Sequence, residues 1–266
     1  MREETVGDAP QKEQEDLLYG RNAVWALLES QPRRCLKVWL AKGTRDPFRS
    51  RILDRCREAG IPLQELDGKG LERMLPGKVH QGVAARTAGV ELLELREVLA
   101  RIPPAPEPVL VVVLDHLEDP HNAGAIVRSA EAVGALAALL PLRRGALPTG
   151  AMVKASTGAA LRLPLGRIGN VGQDLRLLQE AGLWVVGLEA QGERSLFETP
   201  LSPRMALVVG SEGKGLGRTT LQGCDEVLHI PMRGESGSLN GSVAAALGLY
   251  EWFRSVTPSS TFPGRA

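Results

Sequence analysis

The sequence predicts an α/β protein in which a small N-terminal α/β unit precedes a larger, doubly wound parallel sheet. Three observations predict it. From Leu17 to Thr87, helical periodicity alternates with short strand-like runs. A proline-dense stretch ending in IPPAPEP then interrupts the pattern between Val90 and Pro108. Beyond it, short apolar runs (VLVVVL, LWVVGL, MALVVG) recur between turn residues, as strands buried on both faces of a parallel sheet do.

Taken in order, residues 1–16 are polar and acidic and read as a disordered tail, without the apolar stretch of a secretory signal. Arg21–Ser30 sets Ala23, Leu27 and Leu28 along one side of a helix. Leu36–Leu40 is strand-like, and Asp46–Ala59 is helical up to Gly60, a C-cap glycine. Ile61–Leu66 alternates, Lys69–Leu75 is a short helix, and His80–Thr87 returns as a strand, giving a first domain over 17–89. Residues 90–108 are a semi-rigid spacer. The second domain, 109–255, begins with the strand Val109–Leu114, followed by a helix at Asn122–Val133 and a strand at Leu136–Leu140. Strands at Leu183–Leu188, Met205–Gly210 and Glu226–Pro231 follow, then a closing helix from Asn240 to Phe253 and a disordered tail at 256–266. Ligands of such sheets sit beyond the carboxyl ends of the strands, where the most unusual segments of this chain fall.

The bulk composition bounds the function. With 43% hydrophobic and 24% charged residues in 266, the chain buries a real core, and a net charge of +1 leaves its partners open. Cys35, Cys56 and Cys224 are odd in number and widely spaced without CxxC pairing, which argues against a disulfide framework or a zinc site and fits a reducing compartment. No apolar run is long enough to span a bilayer, so a cytoplasmic globular protein without a membrane partner is expected.

Three segments carry the chemistry. In the first, Asp115 to Ala130, Pro120 fixes a turn, Asn122 is a candidate helix cap, and Arg128 follows about one and a half turns later. A metal site built from Asp115, His116, Glu118, Asp119 and His121 finds no matching ligand cluster elsewhere, and no metal is expected. The second, Val208 to Gly217, resembles a phosphate loop but lacks the Lys and Ser/Thr of a Walker A motif, and Glu212 would repel a pyrophosphate. Its glycines suit close approach of backbone to a ligand. In the third, Ile230 to Ala246, a strand runs into a Gly/Ser loop and then into a helix of small residues, for which Ser238 and Asn240 are candidate caps.

In this order and at these spacings the segments resemble the SpoU/TrmH family of RNA ribose 2′-O-methyltransferases, within the SPOUT superfamily. Asp119-Pro120-His121-Asn122-Ala123-Gly124 with Arg128 is similar to the family's first motif. Gly210-Ser211-Glu212-Gly213 with Gly215-Leu216 is similar to the second, and Ile230-Pro231-Met232 with Ser238-Leu239-Asn240 and Ser242 to the third. Lys154, Ser156 and Gly158 fall in a further family segment, and the resemblance covers nearly all of 17–255. Gly241 departs from it, standing where a branched apolar residue is usual. The N-terminal domain, with His80-Gln81-Gly82, is similar to an RNA-binding domain related in shape to ribosomal protein L30e.

The resemblance implies a deep trefoil knot in the parallel-sheet domain, S-adenosylmethionine bent within it, and a homodimer. It places Arg128 at the ribose 2′-hydroxyl, as base or as stabiliser of the developing alkoxide. Arginine normally stays charged, which favours the stabilising role. Asn122, Glu212, Ser238 and Asn240 are expected to orient Arg128 and an RNA phosphate. Gly210, Ile230, Met232, Leu239 and Leu188 are expected to hold the cofactor. The implied substrate is a guanosine of 23S ribosomal RNA in the peptidyl-transferase region, presented on free RNA or on an assembling large subunit. Transfer RNA is the alternative within the class, and a non-catalytic RNA-binding or ribosome-assembly factor the alternative outside it. A dinucleotide-dependent oxidoreductase lacks its glycine fingerprint after the first strand.

RNA binding has separate support. Arg33, Arg34, Lys37, Lys42, Arg45, Arg49, Arg51, Arg55 and Arg57 crowd a stretch that contains only Asp46 and Asp54 as acids, as phosphate contact requires. Arg33, Arg34, Lys37, Arg45 and Arg49 are the candidate RNA contacts. Trp25 and Trp39, in apolar periodic segments, are expected to pack in the core.

Overall fold

The structure, a computed structural model, describes residues 16–43, 46–142, 145–146, 148–211, 213, 215–234 and 237–257. The expected tails at 1–15 and 258–266 lie outside them.

The N-terminal unit runs β1 (Asp16–Tyr19), α1 (Arg21–Ser30), β2 (Cys35–Ala41), α2 (Pro47–Ala59), β3 (Leu63–Leu66), α3 (Gly68–Met74) and β4 (Val83–Thr87). Its four strands form one sheet in the order β1-β4-β2-β3, parallel between β2 and β3 and antiparallel elsewhere. Asp46 caps α2 by accepting from Phe48 N, Pro47 takes the first helical position, and Gly60 ends the helix in the left-handed region. Ala23, Val24, Ala26, Leu27 and Leu28 give α1 its buried face.

The second unit runs β5 (Leu92–Glu94), α4 (Leu95–Leu99), β6 (Val109–Leu114), α5 (Pro120–Ala132), β7 (Ala137–Pro141), α6 (Gly150–Ala155), β8 (Leu165–Ile168), α7 (Val171–Glu180), β9 (Trp184–Leu188), β10 (Arg194–Ser195), β11 (Arg204–Val209), α8 (Arg218–Gly223), β12 (Glu226–His229) and α9 (Gly241–Val256). Eight strands form one sheet in the order β10-β12-β9-β11-β6-β7-β8-β5, and every pairing is parallel. The central strand β6 is buried along its whole length because it serves two cores. Leu110, Val112 and Leu114 point to the face covered by α5 and α9, where Ala123, Ile126, Val127 and Leu249 meet them. Val109, Val111 and Val113 alternate to the other face, against Val98, Leu175 and Leu178 of α4 and α7. Each fully buried branched side chain contributes about 1.5–3 kcal/mol relative to exposure.

The expected spacer is shorter than 90–108. Leu92–Glu94 pairs with β8 at the sheet edge, and α4 follows directly in a capping box closed by Glu94 and Glu97. The apolar Leu92, Leu93, Leu95 and Val98 find a sheet and a helix to pack on, and this outweighs the polar, proline-flanked context. The prolines that follow are held by Arg204, whose guanidinium donates to Pro103 O at 2.9 Å and Glu107 O at 3.0 Å.

The two units share a core. Leu18, Val24 and Leu27 belong to the same buried cluster as Leu110, Ile126, Met152 and Leu161. Gly158, at φ +88°, comes so close to Ala26 that a side chain there would overlap the alanine methyl. Gln31 donates from Nε2 to Leu161 O at 3.0 Å, and the Lys154 ammonium lies 4.2 Å from the Tyr19 ring centre.

Candidate active site

The carboxyl ends of β6, β9, β11 and β12 converge on one region. Asp115, directly after β6, is fully buried. Its Oδ2 accepts from Gly217 N at 2.8 Å, and its Oδ1 lies 2.5 Å from His116 Nδ1. This carboxylate ties the first motif to the end of the glycine-rich loop.

Helix α5 starts one turn later, and its cap is Asp119, which accepts from His121 N at 3.0 Å and Asn122 N at 3.3 Å. Asn122 is therefore not the cap. Pro120 belongs at the first helical position, where its missing N–H is harmless, and this moves the cap one residue before it. The Asn122 side chain instead meets the third motif, where its Oδ1 accepts from Asn240 Nδ2 at 3.2 Å. Asn240 itself caps α9: its Oδ1 accepts from Ser242 N at 2.9 Å, Val243 N at 3.3 Å and Ser242 Oγ at 2.6 Å. One side chain thus fastens the starts of two helices that are 118 residues apart in sequence.

Arg128 is exposed on α5 and has no hydrogen-bond or ion-pair partner among the described residues. An exposed, uncommitted cation on the helix whose start is fixed by that polar pair is suited to a phosphate or to a developing oxyanion.

The glycine-rich segment turns back on itself, with Ser211 N donating to Gly215 O at 3.2 Å and Gly215 N to Ser211 O at 3.0 Å. A Cβ at Gly210 would lie 2.6 Å from Leu216 N, a backbone atom that cannot move aside, and Gly215 holds φ +62°, a conformation side chains rarely adopt, with the Glu189 carboxyl carbon 2.7 Å from where a Cβ would stand. Glu189, at the end of β9, holds this turn: Oε2 accepts from Leu216 N at 2.8 Å and Oε1 from Ala190 N at 3.1 Å. Glu212 and Arg45 lie outside the described residues.

These loops enclose a cleft of about 370 Å³, within the range of roughly 300–1,000 Å³ usual for small-molecule sites. Leu188, Gly210, Ile230, Met232 and Leu239, the expected cofactor residues, all line it, and Ser238 joins them from the expected catalytic group. Asn122, Arg128 and Asn240 stand outside its lining; Asn240 directly follows Ser238 and Leu239, which line it, and bonds to Asn122. An apolar slot formed by Leu188, Val209, Ile230 and Leu239 accepts a flat base, and Glu189, Gln191, Ser211 and Ser238 offer polar groups around it. This donor set fits a nucleoside cofactor such as S-adenosylmethionine. Among the described residues no group of three or more His, Cys, Asp and Glu side chains is placed to hold a metal.

The basic stretch divides into engaged and unengaged side chains. Arg34 donates to Gly89 O at 2.9 Å and Ala88 O at 2.8 Å, while Arg49 donates to Ala41 O at 2.9 Å and pairs with Glu65. Arg55 donates to Leu28 O at 3.0 Å, and Arg51 stacks 4.1 Å from the Trp25 ring centre. These guanidiniums serve backbone carbonyls at element ends and a ring. Lys37 lies 5.3 Å from the Trp39 ring centre, and Arg33 is exposed without a partner among the described residues. Both tryptophans are half-buried against hydrophobic clusters. Sequence reasoning passed over Glu189; the available signal was an acid directly at the carboxyl end of a buried strand.

Comparison with known proteins fits this arrangement. Residues 109–250 match the family model of the SpoU rRNA methylase family, and residues 17–93 match that of the RNA 2′-O ribose methyltransferase substrate-binding domain. The chain is 39% identical over 246 residues to a putative TrmH family tRNA/rRNA methyltransferase, YacO, of Bacillus subtilis, covering 92% of this chain and 98% of that one. It is 36% identical over 239 residues to the 23S rRNA (guanosine-2′-O-)-methyltransferase RlmB of Escherichia coli, covering 90% and 98%. Among solved structures, the SpoU methyltransferase AviRb from Streptomyces viridochromogenes, in complex with AdoMet, superposes with a TM-score of 0.75 at 23% identity, over 90% of each chain, a likeness of fold. A crystal structure described as an RNA 2′-O ribose methyltransferase gives 0.73 at 26% identity, over 91% of this chain and 89% of that one. With both halves matched by adjoining family models, and relatives above one-third identity along nearly its full length, the chain belongs to the SpoU methylase family.

Proposed function

We propose that this protein methylates the ribose 2′-hydroxyl of a guanosine in 23S ribosomal RNA, using S-adenosylmethionine. The observation that carries the reading is the Asn122–Asn240 bridge, which joins the start of α5, the helix that bears the exposed Arg128, to the segment whose Ser238 and Leu239 line the cleft with Leu188, Gly210, Ile230 and Met232. The choice of substrate follows the Escherichia coli relative, named for that reaction. The Bacillus subtilis relative, named for tRNA or rRNA, keeps transfer RNA as the second reading.

When bound, S-adenosylmethionine supplies a methyl group on a good leaving group, so the protein's task is to position the ribose and manage its proton. Arg128 stabilises the alkoxide that develops at the 2′-oxygen. Asn122 and Asn240, each held by a helix start, fix the turn on which that arginine and an RNA phosphate meet, with Glu212 and Ser238 completing the group. Residues 17–89 select the RNA and 109–255 carry the reaction. Within the uncommitted part of the basic stretch, Arg33 and Lys37 are the contacts we favour.

We read the loops after β9, β11 and β12 as the family's trefoil knot. Family membership and the convergence of three neighbouring strand ends on one cleft support it. The homodimer is supported by Val243, Leu247 and Tyr250, an exposed apolar stripe on α9 at helical spacing. An L30e-like shape for the N-terminal unit and a cytoplasmic place of work follow from the same family reading. Among the described residues no helix is long and apolar enough to cross a membrane.

The test is methyl transfer to 23S rRNA that lacks its ribose methylations, with the product mapped. Arg128→Ala should lower transfer by about 10²–10³-fold, the usual cost of losing one oxyanion donor, while cofactor affinity stays near wild type. Full activity of that variant would refute its role. A mapped site in transfer RNA would promote the second reading, and transfer to neither RNA nor ribosomal particles would leave a binding protein.

A further inference from the structure

Glu189 is the one charged side chain lining the cleft among the described residues; the rest of the lining is apolar, glycine or neutral polar. Both of its carboxylate oxygens accept from backbone N–H groups, Leu216 at 2.8 Å and Ala190 at 3.1 Å. Those donors are neutral dipoles. They fix the carboxylate in place without cancelling its charge, and no cation pairs with it among the described residues. The bound cofactor therefore meets a rigid negative charge in a cleft partly screened from water, where electrostatic interactions are stronger than in bulk solvent.

S-adenosylmethionine carries a sulfonium, an ammonium and a carboxylate, and so one net positive charge. The product of methyl transfer, S-adenosylhomocysteine, has lost the sulfonium charge and is neutral overall. Shape hardly separates the two, since they differ by one methyl group. A fixed carboxylate does separate them. We infer that Glu189 is a charge-selecting residue of the cofactor cleft, which raises affinity for the cationic methyl donor relative to the neutral product and so favours exchange after each turnover. The inference rests on the cleft being the cofactor site.

The bland alternative is that Glu189 only clamps the turn around Gly215. Glu189→Gln separates the two, because the amide keeps an oxygen that can accept from Leu216 N and loses the charge. The measurement is calorimetric binding of S-adenosylmethionine and of S-adenosylhomocysteine to the full-length protein without RNA. Glu189→Gln should weaken S-adenosylmethionine by about five-fold and leave S-adenosylhomocysteine within about two-fold, and raising the salt should shrink the wild-type preference. Glu189→Asp, which keeps the charge but shortens the clamp, should weaken both ligands together and preserve their ratio. Equal losses for the two ligands in Glu189→Gln, whether through the clamp or through a shared hydrogen bond to ribose, would overturn the inference, as would no loss at all. Gly210→Ala, which forces a methyl onto the loop backbone, checks the premise separately: unchanged binding of both ligands there would mean that the cofactor sits elsewhere.

Discussion

Gly124 looks like an easy position to improve, because alanine is favoured over glycine in a helix interior by about 0.8–1.0 kcal/mol. It lies in the first turn and a half of α5, and Gly124→Ala should nevertheless destabilise the protein. A Cβ built there would lie 2.6 Å from Ala155 Cβ, 2.9 Å from Met152 O and 3.1 Å from Ser156 N, all on or directly after α6. Two of those atoms belong to the backbone, so no rotamer change relieves the overlap, and α6 must move away from α5. Overpacking of this kind costs about 1–3 kcal/mol, and the rigid neighbours place this site in the upper half of that range. Subtracting the gain in helix propensity leaves a net loss of about 1–2 kcal/mol. At about 2–4 °C per kcal/mol for a chain of this size, the melting temperature should fall by about 2–8 °C. Urea and thermal denaturation followed by far-ultraviolet circular dichroism measure the free-energy loss and the melting shift respectively. Ala155→Gly in the same chain removes the worst overlap, so a double-mutant cycle should show a favourable coupling of about 1 kcal/mol. A single variant as stable as wild type, or a cycle without coupling, would refute the packing argument.

Asn240→Ala removes the cap of α9 and should cost about 1 kcal/mol of stability, yet reduce methyl transfer far more than that loss explains. Asn240→Asp should retain wild-type stability, since a carboxylate accepts the same N–H groups and suits a helix start, but should lose transfer because a carboxylate there has no N–H to donate to Asn122 Oδ1; comparing thermal melts with turnover at saturating cofactor checks this pair. Burial pushes the thiols of Cys35, Cys56 and Cys224 up from 9.0 to about 12, 11 and 12, with Cys56 adding to the shift at Cys35 and Asp225 and Asp115 adding at Cys224. The native protein should therefore resist a thiolate-directed reagent at pH 8, reacting at all three cysteines only after unfolding. By the same linkage, unfolded thiols ionise near pH 9 while folded ones do not, so this contribution to stability is complete below pH 9 and declines as pH rises toward 12, as alkaline denaturation curves would show.

The continuous apolar strands were legible because a parallel sheet leaves them no solvent face: β6, β9 and β11 stand within a residue of the runs that announced them. β8 was not, since Leu-Gly-Arg-Ile is short and its glycine exists to let Leu139 and Val98 pack closely. α7 was readable from Val171, Leu175 and Leu178 after the Asn170 cap, and was passed over. The site divides similarly. Residue types and spacing marked Asn122 and Asn240, but their contact across 118 residues is a property of the fold. The basic stretch shows the reverse error: counting charges says nothing about which guanidiniums are already engaged by carbonyls, as Arg34 and Arg49 are.

The shared core between the two units has a geometric consequence. With Gly158 pressed against Ala26, Gln31 bonded to Leu161 and Leu92–Glu94 stitched into the large sheet, the substrate-binding unit is fastened to the larger one at three places among the described residues. The unit itself stands at a constant offset from the cleft, like the jaws of a set caliper. On the proposed function an RNA is then measured as well as read: if residues 17–93 grip it, the gripped feature and the ribose to be modified must be that one distance apart. A target lengthened or shortened between the two would be bound and left unmethylated.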